Sequence, residues 1–131
     1  MSGVFDAIGI AGSGVITHRK WLDAVSDNIA NINTTTRTSE KAFQARYVQA
    51  QEAQDGNGAQ VGGLAFGSAE GVLAYEPDNP LADAEGYVRR PDIDLGSQMA
   101  QMMMAQRAYQ ANLAVVDRAR DSYQAAIQLG K

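Results

Sequence analysis

A long run of apolar residues near the start of the chain constrains the fold more than any other feature. The run is spaced alternately three and four residues apart, which places it on one face of a helix and is typical of coiled coils. Its one polar member is His18, and a single polar group on such a seam commonly fixes helix register. The run predicts a helix over residues 1–33 and comprises Met1, Val4, Ile8, Ala11, Val15, His18, Leu22, Val25, Ile29 and Ile32.

A second stripe predicts another long helix over residues 95–131. Asp94 stands immediately before it and is a favourable N-cap, because its carboxylate accepts hydrogen bonds from free backbone N–H groups and suits the positive end of the helix dipole. The apolar members of the stripe are Leu95, Met99, Met102, Tyr109, Leu113, Val116, Tyr123 and Ile127, with Gln106 and Arg120 as polar interruptions.

The segment between the helices, residues 34–94, is irregular. It contains all three prolines, and six of the 13 glycines lie between Gly56 and Gly71. Two β-favouring runs, 61–66 and 72–75, flank a glycine-containing stretch and predict a hairpin. Residues 39–54 fit either a strand, from alternation, or a helix, from Gln and Ala content. Residues 55–58 predict a loop.

The predicted fold class is therefore mainly α. We expect long N- and C-terminal helices packed as an antiparallel coiled-coil pair, with a small central β-hairpin and loop region. The expected division is an N-terminal helix (1–33), a central region (34–94) and a C-terminal helix (95–131). Two helices and a small centre do not cover both apolar stripes, and exposed apolar surface of that extent indicates a partner or self-association.

Composition excludes several classes of function. The formal net charge of −4 argues against nucleic-acid binding, which needs a basic surplus. Cysteine is absent and His18 is the only histidine, so no Cys-based or multi-His metal site is expected. No apolar run approaches the roughly 20 residues of a membrane span. The first residues also lack the basic and apolar regions of a cleaved secretory signal.

Candidate catalytic features are weak. The run Gly9-Ile10-Ala11-Gly12-Ser13-Gly14 lacks the order of a phosphate-binding loop, and close helix packing explains it better. Ser13, His18 and Asp23 are spaced so that they point away from one another on a helix. We therefore expect no catalytic, cofactor-binding or metal site and no small-molecule substrate. Each glycine costs a helix roughly 1 kcal/mol, so this region is expected to fray until packing stabilises it.

Three blocks of sequence are distinctive. The first is Asn-Ile-Ala-Asn followed by a threonine turn, where Asn suits a helix end because it tolerates left-handed backbone and satisfies free carbonyls. The second precedes the C-terminal helix, and the third is an Ala-Gln-Arg-x-Tyr core within it. The motif residues are Asn28, Ile29, Ala30, Asn31, Thr34, Pro77, Pro80, Gly86, Tyr87, Pro91, Gln106, Arg107 and Tyr109. Together the three blocks resemble the bacterial flagellar basal-body rod protein family, closest to its short proximal-rod members.

The resemblance implies a non-enzymatic structural subunit, localised to the flagellar rod in the cell envelope and polymerising helically into the drive shaft. It implies export by the flagellar type III apparatus without a cleaved signal. The implied partners are further copies, other proximal- and distal-rod proteins, and the junction of membrane ring and export gate. Both helices would form the inner rod core. The expected assembly interface is Ile8, Val15, Leu22, Ile29, Met102, Tyr109, Val116 and Tyr123.

Other readings remain open from the residues alone. A soluble cytosolic coiled-coil adaptor would share the heptad spacing and would form a stable, discrete oligomer. Another flagellar rod protein would share the Asn-Ile-Ala-Asn motif, although distal members generally have a larger middle domain. A small enzyme using the glycine-rich start would have to bind a nucleotide.

Overall fold

The computed structural model describes residues 2–131, with the side chains of residues 3–131. Two long terminal helices pack together and two small two-stranded sheets lie between them in the sequence, which confirms the predicted mainly α class. The elements are α1 (Ser2–Ala30), β1 (Arg46–Glu52), β2 (Ala59–Phe66), β3 (Val72–Tyr75), β4 (Tyr87–Arg90) and α2 (Leu95–Leu129).

The start of α2 is capped as the sequence predicts. The Asp94 carboxylate accepts a hydrogen bond from the Ser97 N–H at 2.7 Å, and its carbonyl accepts the Gln98 N–H at 3.1 Å. One free N–H of the first turn thus has a partner, which is the energetic role of an N-cap. At the other helix, α1 ends at Ala30 rather than at residue 33.

The predicted pairing of the central strands is wrong. β1 pairs with β2, and β3 pairs with β4 in antiparallel register, with Tyr75 opposite Tyr87. The stretch after β2 does not turn back on itself because its backbone bonds elsewhere: the Gly67 N–H reaches the Ala45 carbonyl at 2.7 Å, and the Ala69 carbonyl accepts the Ala42 N–H at 2.8 Å. The two apolar runs therefore belong to different sheets.

The ambiguous segment 39–54 forms a strand in its second half, from Arg46 to Glu52. Before the strand, Ala42 and Ala45 are buried, with 5% and 2% of their surface exposed. The predicted loop at 55–58 is confirmed, and Gly56 and Gly58 there have positive φ of 73° and 115°. Glycine adopts this backbone without steric cost, which explains the composition of the turn.

The residues group into two compact units, and both long helices contribute to each. The first unit contains the chain up to Leu22, Val48–Gly63 and Met103–Lys131. Its buried side chains include Ala11, Thr17 and Ala105.

The second unit contains Asp23–Tyr47 and Leu64–Met102. Its most deeply buried side chains are Val25, Asn28 and Val88, each at most 1% exposed. One of these three most buried side chains is thus a polar amide.

The helix face that is covered agrees with the prediction for α1, but only in part for α2. In the described part of α1, every member of the predicted seam is buried or half-buried. In α2, by contrast, Leu95, Met99 and Leu113 are 48%, 51% and 38% exposed, while Gln98 and Ala105 are buried. Met102, Tyr109, Val116 and Tyr123 of the predicted stripe are half-buried. The covered line of α2 therefore combines part of that stripe with small and polar residues, which a search for apolar spacing does not find.

Candidate functional site

Asn28, the first asparagine of the Asn-Ile-Ala-Asn motif, joins three elements of the second unit. Its Nδ2 donates to the Arg46 carbonyl at 2.9 Å and to Gln98 Oε1 at 3.0 Å, while its Oδ1 accepts the Arg46 N–H at 2.8 Å. We call Asn28, Arg46 and Gln98 the Asn28 junction. Because Asn28 is only 1% exposed, these bonds replace the hydrogen bonds to water that burial removes.

Asn31 ends the first helix with a local hydrogen-bond pattern. Its Nδ2 donates to the Asp27 carbonyl at 2.8 Å, and its Oδ1 accepts the Thr34 hydroxyl at 3.2 Å. The Asp27 carbonyl already accepts the Asn31 backbone N–H at 3.1 Å, so the side chain adds a second hydrogen bond there and the expected pairing of a free helix carbonyl is not what it does. No described residue other than glycine has positive φ, so the left-handed backbone expected from asparagine is not used.

The second motif builds a small aromatic surface around a glycine. The Tyr75 and Tyr87 rings meet edge to face with centroids 5.4 Å apart. Gly86 has φ of 91°, and a Cβ there would lie 2.8 Å from the Tyr75 ring and 3.3 Å from Pro77. The structure therefore needs glycine at this position for both its backbone angle and its space. Of the remaining prolines, Pro80 is exposed and Pro91 is buried.

Asp83 organises the turn between β3 and β4. Its Oδ1 accepts the N–H groups of Tyr87 at 2.9 Å and Glu85 at 3.0 Å, and its Oδ2 accepts the Thr38 hydroxyl at 3.2 Å. The Tyr87 N–H is the largest cause that lowers the pKa of this carboxyl below its usual value of 3.8, because these donors favour the charged form.

The third motif contains both exposed and half-buried residues. Gln106 and Arg107 are exposed on α2, and Tyr109 is half-buried.

In the first unit, the predicted polar seam residue His18 meets Asn112 of α2, with His18 Nδ1 and Asn112 Nδ2 2.8 Å apart. A Cβ on Gly14 would lie 2.8–2.9 Å from the Asn112 side chain. We call Gly14, His18 and Asn112 the His18 contact.

The direction of the helix pair follows from two contacts within the first unit. His18 of α1 meets Asn112 of α2, and Phe5 packs edge to face on Tyr123 with ring centroids 5.1 Å apart. Moving back along α1 thus moves forward along α2, so the helices are antiparallel there.

The β1–β2 hairpin also touches α1 in the first unit. The Ser13 hydroxyl accepts the Ala59 N–H at 3.0 Å and donates to the Ile10 carbonyl at 2.6 Å. The first unit also contains an open cavity of about 230 Å³ with mostly apolar walls. Its lining residues are Thr17, His18, Trp21, Val48 and Ala50.

Large apolar side chains remain exposed on both helices of the first unit. On α1, Phe5 and Ile16 are 54% and 61% exposed, and Gly9 and Gly12 lie between them on the same face with nothing within 4 Å of a Cβ. On α2, Met103, Met104 and Val115 are each about half exposed. Phe5 and Ile16 lie off the heptad seam, so the spacing of apolar residues in the sequence does not identify them.

The eight residues expected at the assembly interface are all half-buried. Tyr123 covers part of its ring with Phe5 of the same chain. Each of the eight keeps some accessible surface, and their role between molecules stays a prediction. They are Ile8, Val15, Leu22, Ile29, Met102, Tyr109, Val116 and Tyr123.

The described residues offer little for chemistry beyond packing. Among residues 2–131, no group of three or more His, Asp or Glu side chains is arranged to hold a metal ion. The Ser13 hydroxyl is engaged by backbone groups on both sides. Neither α1 nor α2, as described, has the length of apolar sequence that crossing a membrane requires.

Two family models match the ends of the chain. Residues 8–37 match the "Flagella basal body rod protein" model, and residues 84–129 match the "Flagellar basal body rod FlgEFG protein C-terminal" model. The first range contains Asn28 and Asn31, and the second contains Gln98 and Asn112. Both matched ranges therefore include the polar residues that join the two helices.

Near full-length relatives come from several bacteria. The flagellar basal-body rod protein FlgC of Salmonella typhimurium is 34% identical over 132 residues, covering 98% of this chain and 96% of that protein. The corresponding protein of Agrobacterium fabrum is 35% identical, covering 93% and 91%. That of Bacillus subtilis is 25% identical, covering 97% and 98%. The chain therefore belongs to the FlgC family of flagellar basal-body rod proteins, a family of structural proteins and not of enzymes.

Proposed function

We propose that the chain is a subunit of the proximal rod, polymerising helically into the drive shaft that transmits torque. Its partners would be further copies of itself, other proximal- and distal-rod proteins, and the junction of the membrane ring and export gate. It would leave the cytoplasm through the flagellar type III export apparatus without a cleaved signal. Family membership and near full-length similarity to FlgC proteins support this assignment.

The observation that carries assembly is one face of α1, formed by the exposed residues Phe5, Gly9 and Ile16 with the half-buried Gly12. Glycine in a helix costs roughly 1 kcal/mol relative to alanine. Gly9 and Gly12 gain no close contact in return, since nothing described lies within 4 Å of a Cβ at either position. Two glycines between large exposed apolar side chains suit the close approach of a helix from another molecule.

In this proposal the two terminal helices, from residues 1–33 and 95–131, form the inner rod core, and residues 34–94 pack against neighbouring subunits. The eight half-buried residues from Ile8 to Tyr123 named above contribute their remaining accessible surface to those contacts. Half-burial supports this role, because such a side chain stabilises the helix pair and still presents apolar area outward.

Ile16→Asp tests the assembly face most directly. Ile16 is 61% exposed, so the change should leave helix content by circular dichroism unaltered while it abolishes rod assembly and motility. Ser26→Asp, at an exposed polar position on the same helix, is the matched control and should keep both. Normal assembly and motility with Ile16→Asp would contradict the proposed face.

Leu22→Asp tests the half-buried set. Assembly and motility should be lost, and if both survive, the eight-residue interface is wrong.

Circular dichroism combined with sedimentation over a concentration series separates the alternatives. A rod subunit gains helix and mass progressively as it associates, whereas a cytosolic coiled-coil adaptor is fully helical and forms one discrete oligomer at low concentration. Trp21 is the single tryptophan and lines the cavity. Reduced quenching of its fluorescence on association would therefore report burial of the cavity.

A further inference from the structure

The loop at the tip of the β1–β2 hairpin carries a reactive sequence that the rod function does not use. Asn57 is exposed there, and it is the only one of the chain's asparagines that precedes a glycine. The Asn57 side chain makes no hydrogen bond among the described residues, although its backbone N–H donates to Asp55 Oδ1 at 3.0 Å. Its amide carbon is therefore free to move toward the following backbone nitrogen.

That nitrogen is also unprotected. The Gly58 N–H donates no hydrogen bond within the described part of the chain. Gly58 has no side chain, and its positive φ of 115° is one that other residues rarely adopt. Glycine crosses φ/ψ space with few barriers, so the nitrogen readily reaches the side-chain carbon of Asn57.

Asn33 provides an internal comparison, because it is exposed but precedes Thr34. The Thr34 N–H donates to the Asn31 carbonyl at 3.0 Å, and the β-branched side chain crowds the same nitrogen. Asn28, Asn31, Asn79 and Asn112 all have side-chain hydrogen bonds.

We propose that Asn57-Gly58 is a site of spontaneous deamidation that loosens the hairpin tip from α1. The Gly58 nitrogen attacks Asn57 Cγ, the new N–Cγ bond forms, and the Cγ–Nδ2 bond breaks. Ammonia leaves with the proton that the Gly58 nitrogen gives up. Water then adds to either carbonyl of the resulting succinimide and opens it to aspartate or isoaspartate. No oxidation occurs, and water is the only co-reactant.

The structural consequence follows from what surrounds Gly58. Its carbonyl accepts the Ala53 N–H at 2.9 Å, and the next N–H, of Ala59, donates to the Ser13 hydroxyl at 3.0 Å. Isoaspartate inserts an extra methylene into the main chain immediately before these two bonds. The longer backbone cannot keep both hydrogen bonds in place, so the hairpin tip separates from Ser13.

The test is to incubate the full-length chain in mildly alkaline buffer and follow each asparagine by peptide mass spectrometry, with isoaspartyl methyltransferase labelling of the products. Asn57 should convert at least about tenfold faster than Asn33, because only Asn57 precedes an unhindered nitrogen. Equal rates at the two positions would overturn the proposed site. Asn57→Gln, which lengthens the side chain and disfavours the five-membered ring, should remove the signal.

Amide hydrogen exchange tests the loosening separately. In the isoaspartyl fraction, protection at Ala53 and Ala59 should fall by about tenfold, because local opening becomes easier. The Arg46 amide, bound to Asn28, serves as the unaffected reference. Asn57→Asp adds the charge without the extra methylene and should keep protection. Unchanged exchange at Ala53 and Ala59 after conversion would refute the structural consequence.

Discussion

The two compact units join the same pair of helices in different ways. In the second unit, Asn28 is almost fully buried and makes three hydrogen bonds, two of them to the backbone of Arg46. In the first unit, His18 and Asn112 are half-buried and share one hydrogen bond beside Gly14. The connection in the second unit depends on the hydrogen-bonded amide of Asn28. The connection in the first unit depends on Gly14, which has no side chain that would displace Asn112.

This difference predicts different responses to mutation. Leaving a buried donor or acceptor without a partner costs about 1–3 kcal/mol, whereas losing one half-buried hydrogen bond costs about 1 kcal/mol. The second unit should therefore be sensitive to the loss of one polar group. The first unit should be sensitive to added volume, because a Cβ on Gly14 would collide with the Asn112 side chain.

Asn28→Ala should have the largest effect. It leaves the N–H and carbonyl of Arg46 and the Gln98 amide without their partner, and should lower the free energy of unfolding by about 3 kcal/mol or more. Urea unfolding measures the loss. Asn33→Ala, at an exposed asparagine a few residues away, should change stability by less than about 0.5 kcal/mol. Similar effects for both variants would remove the distinction between the two connections.

Alanine at the helix glycines should separate one position from two others. Gly9→Ala and Gly12→Ala should each stabilise the chain by up to about 1 kcal/mol, because alanine favours helix and the space is open. Gly14→Ala should be about 1–2 kcal/mol less favourable than these, because its Cβ displaces Asn112 from His18. Thermal unfolding compares the three. If Gly14→Ala stabilises as much as the others, close approach at the His18 contact is not a constraint.

Removing the His18–Asn112 hydrogen bond should have a smaller effect. His18→Ala, Asn112→Ala and the double variant form a thermodynamic cycle, with an expected coupling of about 1 kcal/mol. The same cycle on Asn28 and Gln98 should give a larger coupling, since both side chains there are at most 2% exposed. A larger coupling between His18 and Asn112 than between Asn28 and Gln98 would contradict this account of the two connections.

Local chemistry made part of this structure predictable from sequence. The seam of α1 and the Asp94 cap involve residues a few positions apart, and periodicity or spacing is enough to find them. Strand pairing was not predictable, because the partner of the 61–66 run is β1 and not the next apolar run. The covered line of α2 was predicted only in part, because Gln98 and Ala105 are buried there but are polar or small.

The functional residues show the same limit. The motif identified Asn28, but its bond to Gln98 joins positions 70 residues apart in the chain. Nothing near Asn28 in the sequence indicates that partner. Phe5 and Ile16 gave no signal because exposed apolar residues off the seam have no periodic pattern. The assembly role of the eight predicted residues stays a prediction.

The smallest effect is expected at acid pH, and only in the second unit. Hydrogen bonds led by that from the Tyr87 N–H lower the pKa of Asp83 below 3.8 in the folded chain, so the charged form stabilises folding above that value. This contribution should disappear as pH falls from 3.8 through the lower folded pKa. Amide exchange at Glu85 and Tyr87 measures it, and Asp83→Asn should flatten the response.

Thr38→Val provides a graded version of the same test. It removes only the hydroxyl that bonds Asp83 Oδ2 and leaves the two backbone donors on Oδ1. Its pH response should therefore fall between those of the wild type and Asp83→Asn. The His18 contact contains no carboxylate, so amides of α1 around Gly14 should not follow this profile. A matching acid response in both units would mean that Asp83 does not act locally, because its donors all lie in the second unit.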